Sequence, residues 1–331
     1  MKNPFRFLRK KLDVLRQEQA QRELNKPYNI QFYNCWNQPI TDMYWYRFIQ
    51  HRKLLDQYPD MRVSIFSIFG RRKMIDKIDS DVKLFFSGEN LKKDRSADYA
   101  DHCLGNKNID LAMGLEMFEH ERYVRFPLWM DYMFDPEMTP QDIIRKCDQL
   151  RFPKITDKQK FTCFVASAPW DGLRKEMVDK VSQISRVDCG GRYLHNDDTL
   201  KTECNDVKAD YLQRYNFNIC PENDNFYGCV SEKVFEALAS GCIPIYWGSY
   251  NKPEPDVLNQ DAIIFWDRKT DNSAALAKIK ELHDSPKLLK EFLAQPRLTP
   301  HAAEYVLDTF STLEHKLKSV IESKAKQRYR Q

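Results

Sequence analysis

The sequence predicts an α/β protein made of two doubly wound, Rossmann-like domains. Its 331 residues are enough to bury two hydrophobic cores. In both halves, short apolar runs rich in β-branched and aromatic residues alternate with amphipathic segments, as parallel strands alternate with helices. A segment with several prolines and charges, 134–160, separates the halves, so we expect domains over 1–150 and 151–331.

Charge and cysteine content exclude several classes of protein. A net charge of only +4, with the basic excess at the two ends, does not favour a nucleic-acid-binding protein. The nine cysteines are scattered singly, without the spacing of metal ligands, so we expect reduced thiols in a cytosolic compartment. No uninterrupted apolar segment follows the basic amino terminus, so we expect neither a signal peptide nor a membrane-spanning anchor.

The first half begins with a basic amphipathic helix, predicted over 1–24, and continues with strands and helices in alternation. Helices are predicted around Met43–Arg52, 71–78 and 140–150, and strands at IQFYN, VSIFSIF and VKLFF. IDLAMG and ERYVRFPLWMDYMF are further apolar segments. Glu89 lies just beyond VKLFF, behind Gly88, where the carboxyl end of a parallel strand carries active-site groups.

The second half alternates more regularly, with five predicted strands: FTCFVA, RVDC, FNIC, CIPIYW and AIIFW. Helices are predicted from about Gly172, near 207–214, after Ser231 and around Leu276, and two more follow to the end. Arg174 sits in the first turn of one helix, with Asp171 as its expected N-cap. This places Arg174 at the same sheet edge as the loop 221–231, where it is expected to meet Lys233 on a diphosphate.

The stretch Phe217–Ser249 organises this half, because it combines a strand, a polar loop, a helix and a second strand. Ser231 is a preferred N-cap type, and Gly241 is expected at C′, where the chain leaves the helix. Pro244 fits the interior of the second strand poorly. Since a helix amino end points at the edge where ligands bind, the loop should face an anion, and Lys233 makes a phosphate the natural candidate.

Within this stretch, ENDNFYGCVSEK and IPIYWGS resemble the donor-binding motif of the α-1,3-fucosyltransferases of glycosyltransferase family 10. The resemblance covers about residues 28–270 and implies a GT-B fold. It implies an inverting enzyme that moves L-fucose from GDP-β-L-fucose to a hydroxyl of GlcNAc or glucose in an oligosaccharide, for surface glycan or lipopolysaccharide synthesis. Residues 1–150 would then bind the acceptor and 151–331 the GDP-sugar. Eukaryotic members carry a membrane anchor, so we expect a bacterial-type enzyme or a trimmed chain.

The resemblance also implies roles for individual residues. Glu89, within SGEN, matches the segment that carries the catalytic base, which accepts the proton of the attacking hydroxyl. Glu232 is expected on the ribose hydroxyls. Ala168 replaces the usual Asn, and Cys229 replaces an aromatic residue, so only a backbone contact carries over at 229. The expected donor-binding residues are Ser167, Arg174, Asn218, Asn223, Cys229, Val230, Ser231, Glu232 and Lys233.

Neither a metal ion nor another cofactor is expected, because cationic side chains and a helix end would stabilise the departing diphosphate. Asp197, Asp198 and Asp224 lie in polar loops and are interpreted as solvated turns, not as a metal-binding Asp-x-Asp. Two alternatives remain open: the same fold acting on another sugar nucleotide, and a catalytically silent glycan- or nucleotide-binding protein. Retention of the acidic and basic site residues together counts against the second alternative.

Both ends of the chain combine basic and apolar residues. The helix at 1–24 either packs on its own domain or lies on an anionic membrane surface. The segment 316–330 repeats the pattern, with Leu317, Val320 and Ile321 between lysines and arginines. We therefore expect a cytoplasmic protein that contacts the inner face of the cell membrane peripherally, near lipid-linked glycan acceptors.

Overall fold

The computed structural model describes residues 4–36, 38–91, 98–154, 158–169 and 171–330, with side chains from residue 12 onward. It contains two parallel sheets of five strands each, flanked by helices. The predicted α/β class is therefore confirmed. The division into 1–150 and 151–331 stays a prediction, since the last helix of the chain packs against the first sheet.

The first sheet follows the order of the sequence, β1-β2-β3-β4-β5, with every pair parallel. Its strands are β1 (Ile30–Tyr33), β2 (Val63–Phe66), β3 (Val82–Ser87), β4 (Leu111–Gly114) and β5 (Tyr123–Arg125). The helices of this half are α1 (Pro4–Asn25), α2 (Tyr44–His51), α3 (Met74–Lys77), α4 (Leu128–Met133) and α5 (Pro140–Arg151). All residues of β1 to β4 are buried, which explains their continuous apolar runs.

The second sheet has the order β7-β6-β8-β9-β10, again with every pair parallel. Its strands are β6 (Lys160–Phe164), β7 (Val187–Cys189), β8 (Tyr215–Pro221), β9 (Ile243–Trp247) and β10 (Ile264–Phe265). The chain runs outward from β6 to β7 and then returns to place β8 on the other side of β6. This reversal makes the carboxyl ends of β6 and β8 a topological switch point, where open α/β sheets bind ligands.

Seven further helices accompany the second sheet in the described part of the chain. They are α6 (Leu173–Val181), α7 (Thr199–Thr202), α8 (Lys208–Leu212), α9 (Glu232–Ala239), α10 (Ser273–Asp284), α11 (Pro286–Leu293) and α12 (Ala302–Arg328). Helix α12 returns to the first sheet and packs on β3, β4, β5 and α5. Across the two halves, the rings of Trp129 in α4 and Phe235 in α9 stack with centroids 4.2 Å apart. The two halves therefore share apolar packing.

Three local expectations need correction or explanation. Asp171 is not the N-cap of α6, because Gly172 takes that position with a φ of 87° while the Asp171 carboxylate pairs with Arg268. Ser231 does occupy the N-cap position of α9, but its side chain makes no capping hydrogen bond. Pro244 is tolerated inside β9 because β10 pairs only with Ile245 and Tyr246, so no strand faces the proline on that side.

Neither terminal segment forms a helix that could cross a bilayer, and the same holds for every helix in the described ranges. The second half of α1 packs on the first sheet, where the Asn25 amide bonds to both the N–H and the C=O of Phe32. At the other end, Leu317 and Ile321 of α12 are buried in the core. Lys324 pairs with Asp110 at 2.7 Å. The apolar residues of α12 therefore face the protein interior.

Candidate active site

Loops at the carboxyl ends of strands from the two sheets touch each other. The amide of Asn90, in the loop after β3, donates to the carboxylate of Asp224, in the loop after β8. Arg125, at the end of β5, donates to the carbonyl of Gly228 at 3.3 Å. Asp224 is thus part of a contact between the halves, not a solvated turn as expected. These contacts bring the segment that holds Glu89 against the loop 221–231.

Glu222 organises the loop after β8. Its side chain is 2% exposed, and its carboxylate accepts hydrogen bonds from the Ser231 N–H at 2.8 Å and the Ser231 hydroxyl at 2.6 Å. The Lys233 ammonium donates to the same carboxylate at 3.1 Å and to the Ser231 hydroxyl oxygen at 2.8 Å. The Ser231 side chain makes no capping hydrogen bond to α9 because its hydroxyl donates to Glu222 instead. Glu222 also fixes Lys233 at the amino end of α9.

Arg174 reaches the same loop from the other side of the switch point. Its guanidinium, 7% exposed by residue, donates to the Ala168 carbonyl and to the Asn223 side-chain oxygen, both at 2.8 Å. The first bond ties the loop after β6 and the second ties the loop after β8. Because it donates to both loops, the guanidinium is held rigidly at the edge where the two strands end.

Arg174 and Lys233 both line a small cavity where these groups converge. Asn218 of β8 and Lys208 of α8 line it as well. Burial lowers the pKa of Arg174, with Glu222 the largest opposing influence. For Lys233, burial is outweighed by the nearby carboxylates of Glu222 and Glu232, so its pKa is raised. Lys233 is therefore a cation at neutral pH, and Arg174 is one as well because a guanidinium is not deprotonated in proteins, as a site for an anion requires.

Of the other five residues that are expected to bind the donor, three are buried and two are exposed or half-buried. Cys229 and Val230 are buried, and their N–H groups donate within the loop, to Phe226 and Gly228. Asn218 is also buried, and its amide donates to the Cys163 carbonyl at 3.2 Å. Ser167 is exposed in the loop after β6, and Glu232 is half-buried at the start of α9. All of them lie on the loops or elements that border the switch point.

Glu89 is half-buried directly beyond β3, in the other half of the protein. Its backbone N–H donates to the Ser87 hydroxyl at 3.1 Å, which shapes the turn after the strand. An added Cβ at Gly88 would lie 2.7 Å from Cδ1 and 3.0 Å from Cβ of Leu128, so this turn packs closely against α4. The carboxylate therefore sits on a constrained turn beside the loop that carries the cations.

Two family models match this chain. The model of the α-(1,3)-fucosyltransferase FucT N-terminal domain matches residues 30–132, and that of the glycosyltransferase family 10 (fucosyltransferase) C-terminal region matches residues 155–306. The chain belongs to glycosyltransferase family 10. Among curated members, the α-(1,3)-fucosyltransferase FucT of Helicobacter pylori is 28% identical in an alignment of 192 positions that covers 50% of this chain. The match spans only 37% of that relative's length.

Solved structures of α1,3-fucosyltransferases share the fold of this family 10 chain. One without a named ligand superposes with a TM-score of 0.57 at 21% identity, one with GDP at 0.54 and 20%, and one with GDP-fucose at 0.56 and 21%. Each comparison covers 86% of this chain and 89% of the other. The likeness confirms the GT-B architecture that the motif implied.

Sequence reasoning missed several groups of this family 10 site. Glu222 stood inside the quoted motif, yet nothing in its spacing showed that it would be buried against Ser231 and Lys233. Lys208 lies in a short helix with no motif of its own, and its ammonium pairs with Glu236 in α9. Arg125 was part of an apolar segment, but it forms a buried ion pair with Glu254, in which the guanidinium is 13% and the carboxylate 1% exposed.

Proposed function

We propose that this family 10 chain is an inverting fucosyltransferase that uses GDP-β-L-fucose and an oligosaccharide acceptor ending in GlcNAc or glucose. The observation that carries the proposal is the convergence of Arg174 and Lys233 at the switch point, beside the loop that touches the Glu89 segment. Family membership and the GDP and GDP-fucose complexes of structural relatives support the same choice of donor. The α-1,3 linkage and a role in lipopolysaccharide or surface glycan synthesis are parts of the proposal.

In this proposal the donor diphosphate lies between Arg174 and Lys233, at the amino end of α9. An ammonium has three N–H donors, and Lys233 uses two of them on Glu222 and Ser231. Negative charge grows on the diphosphate as the bond to the anomeric carbon breaks. Preoriented cations stabilise that charge more in the transition state than in the ground state, which accelerates the reaction. Glu232 accepts hydrogen bonds from the ribose hydroxyls.

Glu89 acts as the general base on the opposite face of the sugar. Its carboxylate accepts the proton of the acceptor hydroxyl while the oxygen attacks the anomeric carbon, and GDP leaves from the other side. The position beyond β3, next to the loop 221–231, supports this role. One carboxylate suffices, because GDP is a good leaving group once its charge is neutralised.

We infer that no metal ion takes part in this transfer. Among the residues that the structure describes, no group of three or more His, Cys, Asp or Glu side chains could hold one. In this proposal Arg174 and Lys233, which line one cavity, supply the positive charge that a divalent ion would otherwise bring to the diphosphate. Activity should therefore survive excess EDTA. Loss of activity on chelation, with recovery on adding Mg²⁺ or Mn²⁺, would contradict this part of the proposal.

A cytoplasmic location with peripheral membrane contact belongs to the proposal too. The exposed side chains that support it are Leu12 and Leu15 of α1, and Lys318 and Lys326 of α12. Salt-sensitive sedimentation with vesicles containing anionic lipid tests it, because screening at about 0.15 M ionic strength limits such attraction to about 8 Å. If the protein stays in the supernatant at low salt, membrane contact is excluded.

The experiment that tests the function is release of GDP from GDP-fucose in the presence of neutral oligosaccharide acceptors. We expect acceptor-dependent release, with a fucosylated product detected by mass spectrometry. GDP-mannose and UDP-galactose, offered at the same concentration, test the alternative that the fold uses another sugar nucleotide. Binding of GDP without turnover of any donor would favour a catalytically silent binding protein.

A further inference from the structure

Arg125, the last residue of β5, uses all of its side-chain N–H groups in hydrogen bonds to the protein. A guanidinium has five N–H donors, one on Nε and two on each of Nη1 and Nη2. Nε donates to the Leu115 carbonyl at 3.1 Å, and Nη1 donates to Glu254 at 3.1 Å and to the Tyr305 hydroxyl at 2.9 Å. Nη2 donates to Glu254 and to the Gly228 carbonyl at 3.3 Å. Arg125 is therefore fixed by separate segments of the chain, and none of its donors is left for a substrate.

The ion pair of Arg125 with Glu254 is almost completely removed from solvent. The guanidinium is 13% and the carboxylate 1% exposed. Burial acts against the charge of Arg125, but the Glu254 carboxylate outweighs this effect and raises the pKa of the guanidinium. A buried carboxylate that loses its cation is left with an uncompensated charge, so separating the two partners is strongly unfavourable.

Gly228, in the loop 221–231, is held from both halves of the protein. It is buried with a φ of 86°, and its N–H donates to the Ser249 hydroxyl at 3.1 Å while its carbonyl accepts from Arg125. An added Cβ at Gly228 would lie 2.8 Å from Cγ of Met117, in the segment after β4. The loop 221–231 therefore passes in close contact with the edge of the first sheet and is tied to it at this glycine.

The segment after β9 contributes both Ser249 and Glu254 to these contacts, and its backbone is strained. Ser249, Tyr250, Asn251 and Glu254 have φ values between 43° and 54°, which residues with a side chain rarely adopt. Strained backbone persists where the surrounding structure imposes it, and it is concentrated at functional sites. The hydrogen bonds to Arg125 and Gly228 are contacts that hold this segment in place.

The contacts of Arg125 are separate from those that hold the donor cations. Arg174 and Lys233 are fixed by hydrogen bonds to neighbours in their own half. Arg125 instead ends the strand that lies two places from β3 in the first sheet, and β3 leads to Glu89. We propose that Arg125 is a positioning residue for the transfer, which sets how far Glu89 lies from the sugar held at the loop 221–231. This inference rests on the proposed function.

Arg125→Lys tests the proposal, because lysine keeps the charge but has three N–H donors in place of five. We expect kcat for fucose transfer to fall by about tenfold to a hundredfold, since a misplacement of about 1 Å slows a reaction that strongly. The affinity for GDP, measured by calorimetry, should not change. A larger share of the GDP should be released without a fucosylated product, because a misplaced acceptor hydroxyl competes less well with water.

A second variant covers the case in which Arg125→Lys does not fold. Arg125→Met combined with Glu254→Gln removes both charges of the pair, so no buried carboxylate is left unpaired. The tie to Gly228 is still lost, and we expect the same fall in kcat at unchanged GDP affinity.

Arg52→Lys is the matched control. The Arg52 side chain is 11% exposed and pairs with Glu314 of α12 at 3.0 Å. Its hydrogen-bond partners in the described part of the chain are Glu314 and Pro136, outside the loop 221–231. Arg52→Lys should lower the Tm to a similar extent as Arg125→Lys and leave kcat unchanged.

The outcomes separate this inference from the function on which it rests. If the Arg125 variants keep their kcat, if they lose kcat and GDP affinity by the same factor, or if Arg52→Lys lowers kcat equally, Arg125 has no positioning role and the proposed function stands. If the unmodified protein neither binds nor consumes GDP-fucose, the proposed function itself fails.

Discussion

Glu89 is the residue whose replacement tests the chemistry most directly. Glu89→Gln keeps the size of the side chain but cannot accept a full proton. We expect turnover to fall by roughly two to four orders of magnitude, the usual contribution of a positioned general base. The affinity for GDP-fucose should stay the same, because the donor cations are on the other half. Transfer rates and calorimetry with GDP-fucose measure the two quantities separately.

Glu119→Gln is a suitable control, since Glu119 is an exposed acid beyond β4 at the same edge of the sheet. The turnover of the Glu119→Gln variant should stay within about twofold of that of the unmodified protein. If Glu89→Gln were equally active, the base would have to be another group.

Asp131 leads to a second prediction, which concerns how the free energy of unfolding depends on pH. Burial raises the pKa of its carboxyl from 3.8 to about 7, so the folded protein holds this proton more tightly than the unfolded chain does. The protonated Asp131 carboxyl therefore makes its full contribution to stability below about pH 4. This contribution is lost as the pH rises from about 4 to about 7, because the unfolded chain gives up the proton first. Because Asn mimics the protonated form, Asp131→Asn should raise the free energy of unfolding at pH 8 by about 1–2 kcal/mol, the partial exposure of the side chain reducing the full effect.

At pH 5 the same substitution should raise the free energy of unfolding by clearly less than at pH 8, because the native carboxyl is still protonated there and only the unfolded chain's carboxyl has ionised. Urea unfolding at both pH values, with Asp148→Asn as the exposed control, measures the difference. A gain that is equal at pH 5 and pH 8 would show that packing, rather than ionisation, is responsible.

At the scale of residues, sequence reasoning found the groups that a motif names and missed those that depend on folding. Arg174 and Lys233 were predictable because each starts a helix after a strand, and parallel strands bring such helix ends to one edge. Glu222 was not singled out, because its importance comes from being buried beneath Ser231. Asp131 was missed for a similar reason: an acid in an apolar segment gives no sign of its exposure.

At the scale of elements, the loop after β8 depends on the strand beside it. The β9 strand ends at Trp247, and Gly248 follows with a φ of 149°, where a side chain is strained. An added Cβ at Gly248 would lie 2.5 Å from Cγ of Glu222. Gly248→Ala should therefore displace Glu222 and lower the free energy of unfolding by about 2–4 kcal/mol. Because Glu222 holds Lys233, the affinity for GDP should fall as well.

Gly172 offers the matched control for this prediction. It also has a positive φ, 87°, but an added Cβ there would meet no atom of the described residues within 4 Å. Gly172→Ala should lower the free energy of unfolding only by the backbone strain, about 1–2 kcal/mol, and should leave the GDP affinity nearly unchanged. Thermal unfolding and calorimetry on both variants separate strain from displacement of Glu222. Equal effects on GDP binding would argue against a special role for Glu222.

Strands and helices were largely predictable in type, and their ends were not. VSIFSIF was expected to be one strand, but β2 ends at Phe66, because β1 and β3 pair only with Val63–Phe66. AIIFW shortens to β10, Ile264–Phe265, since a 3-10 turn takes up Gln260–Ala262. A run of apolar residues reports burial, whereas the ends of a strand are set by its neighbours, which the local sequence does not contain.

At the scale of the whole molecule, helix α12 lies at the end of the chain but completes the core of the first half. Its Phe310 ring contacts the rings of Phe48, Phe126 and Phe134 in the first half. Tyr305, near its start, accepts a hydrogen bond from Arg125 at 2.9 Å, and the Arg125 guanidinium also pairs with Glu254. The helix therefore links the first sheet, which carries Glu89, to the half that carries the cations.

This arrangement predicts that the first half does not fold stably once α12 is removed. Five large side chains of α12 are buried in the core: Val306, Phe310, Leu313, Leu317 and Ile321. At about 1.5–3 kcal/mol each, their burial stabilises the fold by on the order of 10 kcal/mol, comparable to the whole stability of a typical domain. A chain ending at residue 300 should thus be insoluble or lack a cooperative thermal transition, whereas removal of residues 330–331 should leave the Tm unchanged. Phe310→Ala in the full chain, which should lower the free energy of unfolding by about 3–5 kcal/mol, tests the same contact without truncation. A cooperative transition at the original Tm in the chain ending at 300 would show that the first sheet is stable without α12.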